Sequence, residues 1–159
     1  MRALVVYYSK AGHTREIAEA IVGELQGDRE EIVDTASRSG PLSYFTVRRQ
    51  ARKGELTQIR PAEKDPARYE VVIVGTPVLL GSLSAPVRTY LKENGKKLKK
   101  VAFFATFSGS TVGTTFEEME ELCGRRPAAT LAINPAAIRD ESYLDSVRQF
   151  VDMIKAAPQ

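Results

Sequence analysis

The sequence predicts an α/β protein, a three-layer α/β/α sandwich around a five-stranded parallel sheet in the order 2-1-3-4-5. Three observations carry that expectation. Short apolar runs rich in β-formers alternate with segments of helical periodicity along the chain. The strongest of those runs are continuous, as strands covered on both faces require. Strands that alternate with helices form right-handed crossovers, which place helices on both faces of a parallel sheet, and five strands suit the doubly wound order.

The first strand is expected over residues 3–8 (Ala-Leu-Val-Val-Tyr-Tyr). Apolar residues then recur at Ile17, Ala18, Ile21, Val22 and Leu25, a helical spacing that ends near Gly27. A short second strand is expected at 31–34, a strong third at 71–75, a fourth at 101–105 and a fifth at 128–134. A helix over 85–94 has Pro86 in its first turn, where proline is tolerated, and an apolar stripe of Val87, Tyr90 and Leu91. A further helix is expected over 112–123, stopped by Gly124. The closing helix, 143–156, is built on Leu144, Val147, Phe150, Val151 and Ile154. Residues 34–69 form the one long connection, with a helix expected at 42–53 and irregular chain around Pro61 and Pro66. A connection of that length is often functional. With no internal repeat, low-complexity tract or linker, residues 1–159 read as a single domain.

A chain of 159 residues with 43% hydrophobic and 27% charged residues can bury a real core. No segment approaches the roughly 20 consecutive apolar residues that span a bilayer, so no membrane insertion is expected. The N-terminus lacks the features of a signal peptide. Cys123 is alone, so no internal disulfide forms, and a reducing cytoplasm is the simplest home. The net charge of +3 is mild. Arg48, Arg49, Arg52 and Lys53, with Lys96, Lys97, Lys99 and Lys100, form two basic stretches. No aromatic residues interleave them, which argues against a nucleic-acid partner.

In an open α/β sheet, ligands bind beyond the carboxyl ends of the strands at the switch point. That rule selects three loops. The first reads Ser9, Lys10, Ala11, Gly12, His13, Thr14. The second runs over residues 76–82 and includes Thr76, Pro77, Val78, Leu79 and Gly81. The third begins Thr106, Phe107, Ser108, Gly109. All three combine glycine with small hydroxyl residues. The first also precedes a helix, whose N-terminus presents free N–H groups and a positive dipole end to an anion. Thr14 as an ordinary helix cap is the plainer account of that loop taken alone.

Other chemistries are excluded by what these positions hold. There is no G-x-x-x-x-G-K-[ST] and no G-x-G-x-x-G. The acidic residues of a receiver domain are replaced by Ser9 and Lys10 after the first strand and by Gly75 and Thr76 after the third. No cysteine nucleophile stands in the first loop, and Cys123 reads as a small buried apolar residue. His13 and the dispersed carboxylates form no metal cluster. No acid/base pair stands out, so no catalytic side chain is assigned.

The segment from Val6 to Thr14 resembles the phosphate-loop signature of the flavodoxin family, a strand followed by [ST]-x-x-G-x-T. Gly75, Thr76, Pro77 and Val78 with Gly81, followed by the helix opening at Ser84, Ala85 and Pro86, are similar to the second loop and helix of flavodoxin-like FMN proteins. Residues 103–109 are similar to the third loop. The resemblance covers nearly the whole chain.

The resemblance implies FMN as cofactor. Ser9, Lys10, Ala11, Gly12, His13 and Thr14 would wrap its phosphate. Thr76, Pro77, Val78 and Leu79 would line one side of the isoalloxazine ring, with Gly81 in the same loop. Thr106, Phe107, Ser108 and Gly109 would approach the other side. In such proteins the flavin performs the redox chemistry, and the protein tunes it by stacking and hydrogen bonding. The implied function is electron transfer or an FMN-dependent oxidoreductase activity. Its partner would be a redox protein or a small electron acceptor such as a quinone. Homodimers are frequent among flavodoxin-like enzymes. Many relatives have tryptophan where this chain has Leu79, and the chain holds no tryptophan. Phe107, Tyr44 and Phe45 are the candidates for a replacement aromatic wall. A non-redox binding module that keeps the fold and anion pocket is the alternative that Leu79 suggests.

Overall fold

The computed structural model describes residues 1–36, 56–109 and 111–159. The helix expected at 42–53, with Tyr44, Phe45 and the basic stretch from Arg48 to Lys53, lies outside the described residues.

Five parallel strands form the sheet: β1 (Ala3–Tyr7), β2 (Asp28–Glu31), β3 (Val71–Leu79), β5 (Lys100–Thr106) and β6 (Thr130–Ile133). Between β3 and β5 in sequence, β4 (Ser82–Leu83) folds back antiparallel on the end of β3. The spatial order is β2-β1-β3-β5-β6. Counting only the parallel strands, this is the expected order 2-1-3-4-5.

The helices are α1 (His13–Leu25), α2 (Ala85–Asn94), α3 (Thr115–Cys123), α4 (Pro135–Arg139) and α5 (Tyr143–Ala156). Alternate residues of each interior strand feed two apolar layers, as a period of two requires. Val5, Tyr7, Ile73 and Phe104 pack with Ile17 and Ile21 of α1 and Val147 and Phe150 of α5. Leu4, Val6, Val74 and Phe103 pack with Val87 and Tyr90 of α2 and Met119 and Cys123 of α3. Cys123 is buried, as its reading from sequence required, and burial pushes its thiol up. No helix among the described residues is long and apolar enough to cross a membrane.

The second strand lies three residues earlier than expected. Ile32 and Val33 supplied the apolar signal, but pairing with β1 runs through the charged tetrad Asp28, Arg29, Glu30 and Glu31. At a sheet edge the ladder needs only backbone groups, so composition misplaces the strand. Ile32 follows directly, with its N–H on the Tyr7 carbonyl (2.7 Å) and its side chain buried.

The third strand is longer than expected. Thr76, Pro77, Val78 and Leu79 continue β3 instead of forming a loop, pairing with β5 as far as Pro77 with Thr106. The proline is tolerated because Tyr8 N–H reaches the Gly75 carbonyl (3.3 Å), which shows that odd-numbered residues of β3 face β1. By Pro77 that neighbour has ended, so its missing N–H is owed to no partner. The helix expected from residue 112 begins at Thr115, and the fifth strand is trimmed to Thr130–Ile133. The short helix α4 was not foreseen. Its first residue is Pro135, and Asn134 caps it by accepting the N–H of Ala137 (3.1 Å).

At one point the backbone of β3 lies directly under a ring. A Cβ added to Gly75 would stand 2.0 Å from the Phe104 ring, so only glycine fits there.

Candidate functional site

The first loop is organised by Ser9 and Gly12. The Ser9 hydroxyl accepts the N–H groups of Gly12 and Arg15, both at 3.2 Å, and folds the chain into the first turn of α1. Gly12 is the N-cap residue, with φ of 98°, a left-handed conformation that side chains rarely adopt. The N–H groups of Ala11, His13 and Thr14 have no partner among the described residues. They are the free donors of a helix N-terminus, aligned with its dipole. Lys10 and His13, both exposed, stand beside them.

Thr14 is buried and joins the first loop to the third. Its hydroxyl lies 2.8 Å from that of Thr106, at the end of β5. Phe107 follows, its N–H held by the Ile133 carbonyl (3.1 Å), and is half-buried. Ser108 and Gly109 are exposed.

The second segment is a hairpin rather than an open loop. Leu79 pairs with Ser82 across the two-residue turn Leu80-Gly81, and both turn residues have positive φ, 54° and 75°. Positive φ at both positions is the condition for the primed turns that fit hairpin twist. Thr76 is fully buried behind this hairpin. Its hydroxyl oxygen accepts the Ser84 N–H (3.0 Å) and lies 3.0 Å from the Ser84 hydroxyl. It therefore anchors the start of α2 and does not face the site.

These elements enclose a largely apolar cavity of about 550 Å³ at the carboxyl end of the sheet. Lys10, Ala11, His13 and Thr14 line one end of it. Pro77, Val78 and Leu79 form one wall, and Thr106, Phe107 and Ser108 another. Ser9, Gly12, Thr76, Gly81 and Gly109 shape the surrounding backbone but do not line it.

Sequence reasoning missed six lining residues: Tyr8, Asp34, Ser84, Ala85, Pro86 and Pro135. Tyr8 ends the first strand and Pro86 opens α2, so both had a readable position. Pro135 arrives only through α4. Asp34 comes from the end of the β2 segment, which the switch-point rule does not select. Its carboxylate accepts the N–H of Ala36 (3.0 Å) and the hydroxyl of Thr57 (3.2 Å).

The volume lies within the range typical of small-molecule and cofactor sites. Unpaired N–H groups of the first loop and apolar walls from Pro77, Val78, Leu79 and Phe107 suit a ligand that carries both an anionic group and an apolar one. Among the described residues no group of His, Cys, Asp or Glu could hold a metal ion.

The fold is flavodoxin-like. The chain is similar to a flavoprotein from Lactobacillus acidophilus NCFM, solved in complex with FMN, with TM-score 0.72 and 22% identity over 89% of this chain and 98% of that one. It is also similar to the flavodoxin of Streptococcus pneumoniae TIGR4, with TM-score 0.64 and 16% identity over 98% and 99% of the two chains. An archaeal flavodoxin is similar too, with TM-score 0.56 and 17% identity over 98% and 99%. No protein-family model matches the sequence.

Proposed function

We propose that this protein binds FMN and works as a redox protein through the bound flavin. The observation that carries the reading is that one cavity is lined both by Ala11, His13 and Thr14, whose N–H groups are unpaired among the described residues, and by the apolar side chains of Leu79 and Phe107. The donor set suits a phosphate, since three backbone N–H groups at a helix N-terminus need a strong acceptor and a negative charge. The apolar walls suit a ring.

Ser9, Lys10, Ala11, Gly12, His13 and Thr14 would hold the phosphate. The backbone and side chains of Pro77, Val78 and Leu79, with Gly81 shaping the turn, would cover one ring face. Thr106, Phe107, Ser108 and Gly109 would approach the other face and the ring edge. Thr76 acts one step removed, by fixing Ser84. FMN supplies one- and two-electron chemistry when bound, and the apolar walls exclude water from the ring. Leu79 covers a ring by area alone, without the roughly 1 kcal/mol that aromatic stacking adds. Phe107, which lines the cavity together with Tyr8, would supply it.

Titration of FMN with the protein tests the reading, because stacking and burial quench flavin fluorescence. Quenching at micromolar protein is expected, with riboflavin binding more weakly for want of a phosphate. Absence of quenching would refute the reading and favour a non-redox module that uses only the anion cradle. An assay of NAD(P)H oxidation with FMN and a quinone then separates an enzyme from a carrier, since a carrier does not turn over without its protein partner.

A further inference from the structure

The hairpin that walls the cavity is not self-sufficient. β4 is two residues long, and short hairpins are marginal by themselves. Its turn also places Leu80, a residue with a side chain, at φ of 54°. Leu80 is half exposed, so core burial does not hold it there. Something behind the hairpin must fix it.

That something is a partly buried charged junction. Arg88 on α2 is 4% exposed, and its guanidinium donates to the Ser82 hydroxyl (2.9 Å), to the Leu83 carbonyl (3.3 Å) and to the Glu118 carboxylate on α3 (3.2 Å). Ser82 in turn donates to Glu118 (2.8 Å), which also accepts the Thr114 hydroxyl (3.1 Å). Thr114 N–H meets the Gly81 carbonyl at the turn itself (3.1 Å). The backbones touch closely here, and a Cβ on Gly113 would stand 2.3 Å from the Gly81 oxygen. Arg88, Ser82 and Glu118 together tie β4, α2 and α3 into one unit, yet none of the three lines the cavity. A buried ion pair is weak evidence for stability, and fixing one arrangement is its better-attested use.

We infer that Arg88 is a positioning residue: through Ser82 and Glu118 it fixes the hairpin that walls the ring end of the cavity, and so sets affinity for a flavin ring that it never touches. The inference deepens the flavin reading above and rests on it. The anion cradle is built by other elements, so the two ends of the site respond differently when Arg88 is changed.

The experiment uses the full chain as wild type and as Arg88→Met, Arg88→Lys and Glu118→Gln, with the exposed Arg148→Met as control. In ligand-free protein, hydrogen exchange of the Thr114 amide reports the junction. Fluorescence titration reports FMN affinity, and amide shifts of Ala11, His13 and Thr14 report binding of inorganic phosphate. The expected result for Arg88→Met is FMN affinity weaker by about tenfold, the loss set by removing charged hydrogen bonds. Phosphate binding stays unchanged, and Thr114 exchange rises. Arg88→Lys keeps the charge without the fork and recovers part of the loss. Should Arg88→Met not fold, Glu118→Gln carries the same readouts.

Wild type that binds phosphate but not FMN overturns the flavin reading and this inference together. Wild type that binds FMN, with Arg88→Met and Glu118→Gln binding it equally well, overturns the positioning role alone. An equal fall in FMN and phosphate affinity marks general loosening and overturns it as well.

Discussion

The hydroxyl groups of Thr14 and Thr106 lie 2.8 Å apart in the wall of the cavity, joining the first helix to the end of β5. Each is the other's partner, and both side chains are buried. Removing one leaves the other unsatisfied, which costs about 1–3 kcal/mol. Thr106→Val should therefore lower stability by that amount in urea unfolding. Replacing both, Thr14→Val with Thr106→Val, should cost less than the sum of the single changes, because no orphaned hydroxyl remains. Strict additivity would show that the two do not interact.

Gly75 and Phe104 form a second dependent pair, by exclusion of space. Gly75→Ala puts a methyl group 2.0 Å from the ring, so one must move. Overpacking of this kind costs roughly 1–3 kcal/mol, and the central position of β3 favours the upper end. Phe104→Leu in the same chain should restore much of the loss. A thermal unfolding cycle of the two variants and their combination measures this, and no recovery would mean that β3 itself is intolerant.

Leu80 offers a stabilising change. A side chain in the left-handed region costs about 1–2 kcal/mol, and Asn-Gly is the favoured pair for such a turn. Leu80→Asn should raise the melting temperature, and a gain of about 1 kcal/mol would shift it by a few degrees in a domain of this size. If Leu80 also shelters the ring, the same variant should bind FMN more weakly, and fluorescence titration reads that directly. A fall in melting temperature would show that the leucine contributes contacts that outweigh its strain.

Tyr90 is buried with its hydroxyl lacking a partner among the described residues. Burial, with smaller contributions from Glu30 and Asp65, holds its phenol well above the ordinary range. A raised folded-state value means that the native protein keeps the proton longer than the unfolded chain. The stabilising contribution is then complete below about pH 10, the unfolded value, and is lost as pH climbs above it. Tyr90→Phe should be neutral or up to about 1 kcal/mol more stable at pH 7, since an unsatisfied hydroxyl is removed. The gap between the two proteins should widen above pH 10. Urea midpoints measured from pH 7 to 11 test this, and parallel curves would refute it.

What the sequence disclosed, and what it hid, follows from where each signal comes from. Helices α2 and α5 were placed to the residue because their apolar stripes end at definite stops. The strands β1 and β5 were legible because both faces are buried, so β1 is apolar throughout and β5 is apolar from Val101 to Ala105. The edge strand β2 carries no such mark, and its placement was drawn to Ile32 and Val33 just beyond it, of which Ile32 is buried and Val33 half-buried. The three loops of the site were found by topology, yet Thr76 looks from sequence like a ligand-facing hydroxyl and turns out to serve Ser84. Arg88 was assigned no role from the sequence. Nothing local in a sequence says that an arginine on α2 will meet a glutamate on α3 behind a hairpin.

The edge strand has a consequence of its own. A sheet border with unpaired N–H and C=O groups invites strands from other molecules, and long apolar borders are where aggregation begins. Here the border is Asp28, Arg29, Glu30 and Glu31, and part of it is covered where Glu30 receives the N–H groups of Glu63 and Lys64. The opposite border, β6, is only four residues long. The most apolar strands, β1, β3 and β5, occupy the three interior places. The strand order that creates the cavity thus also keeps the most apolar stretches off both borders of the sheet, where another chain could pair with them.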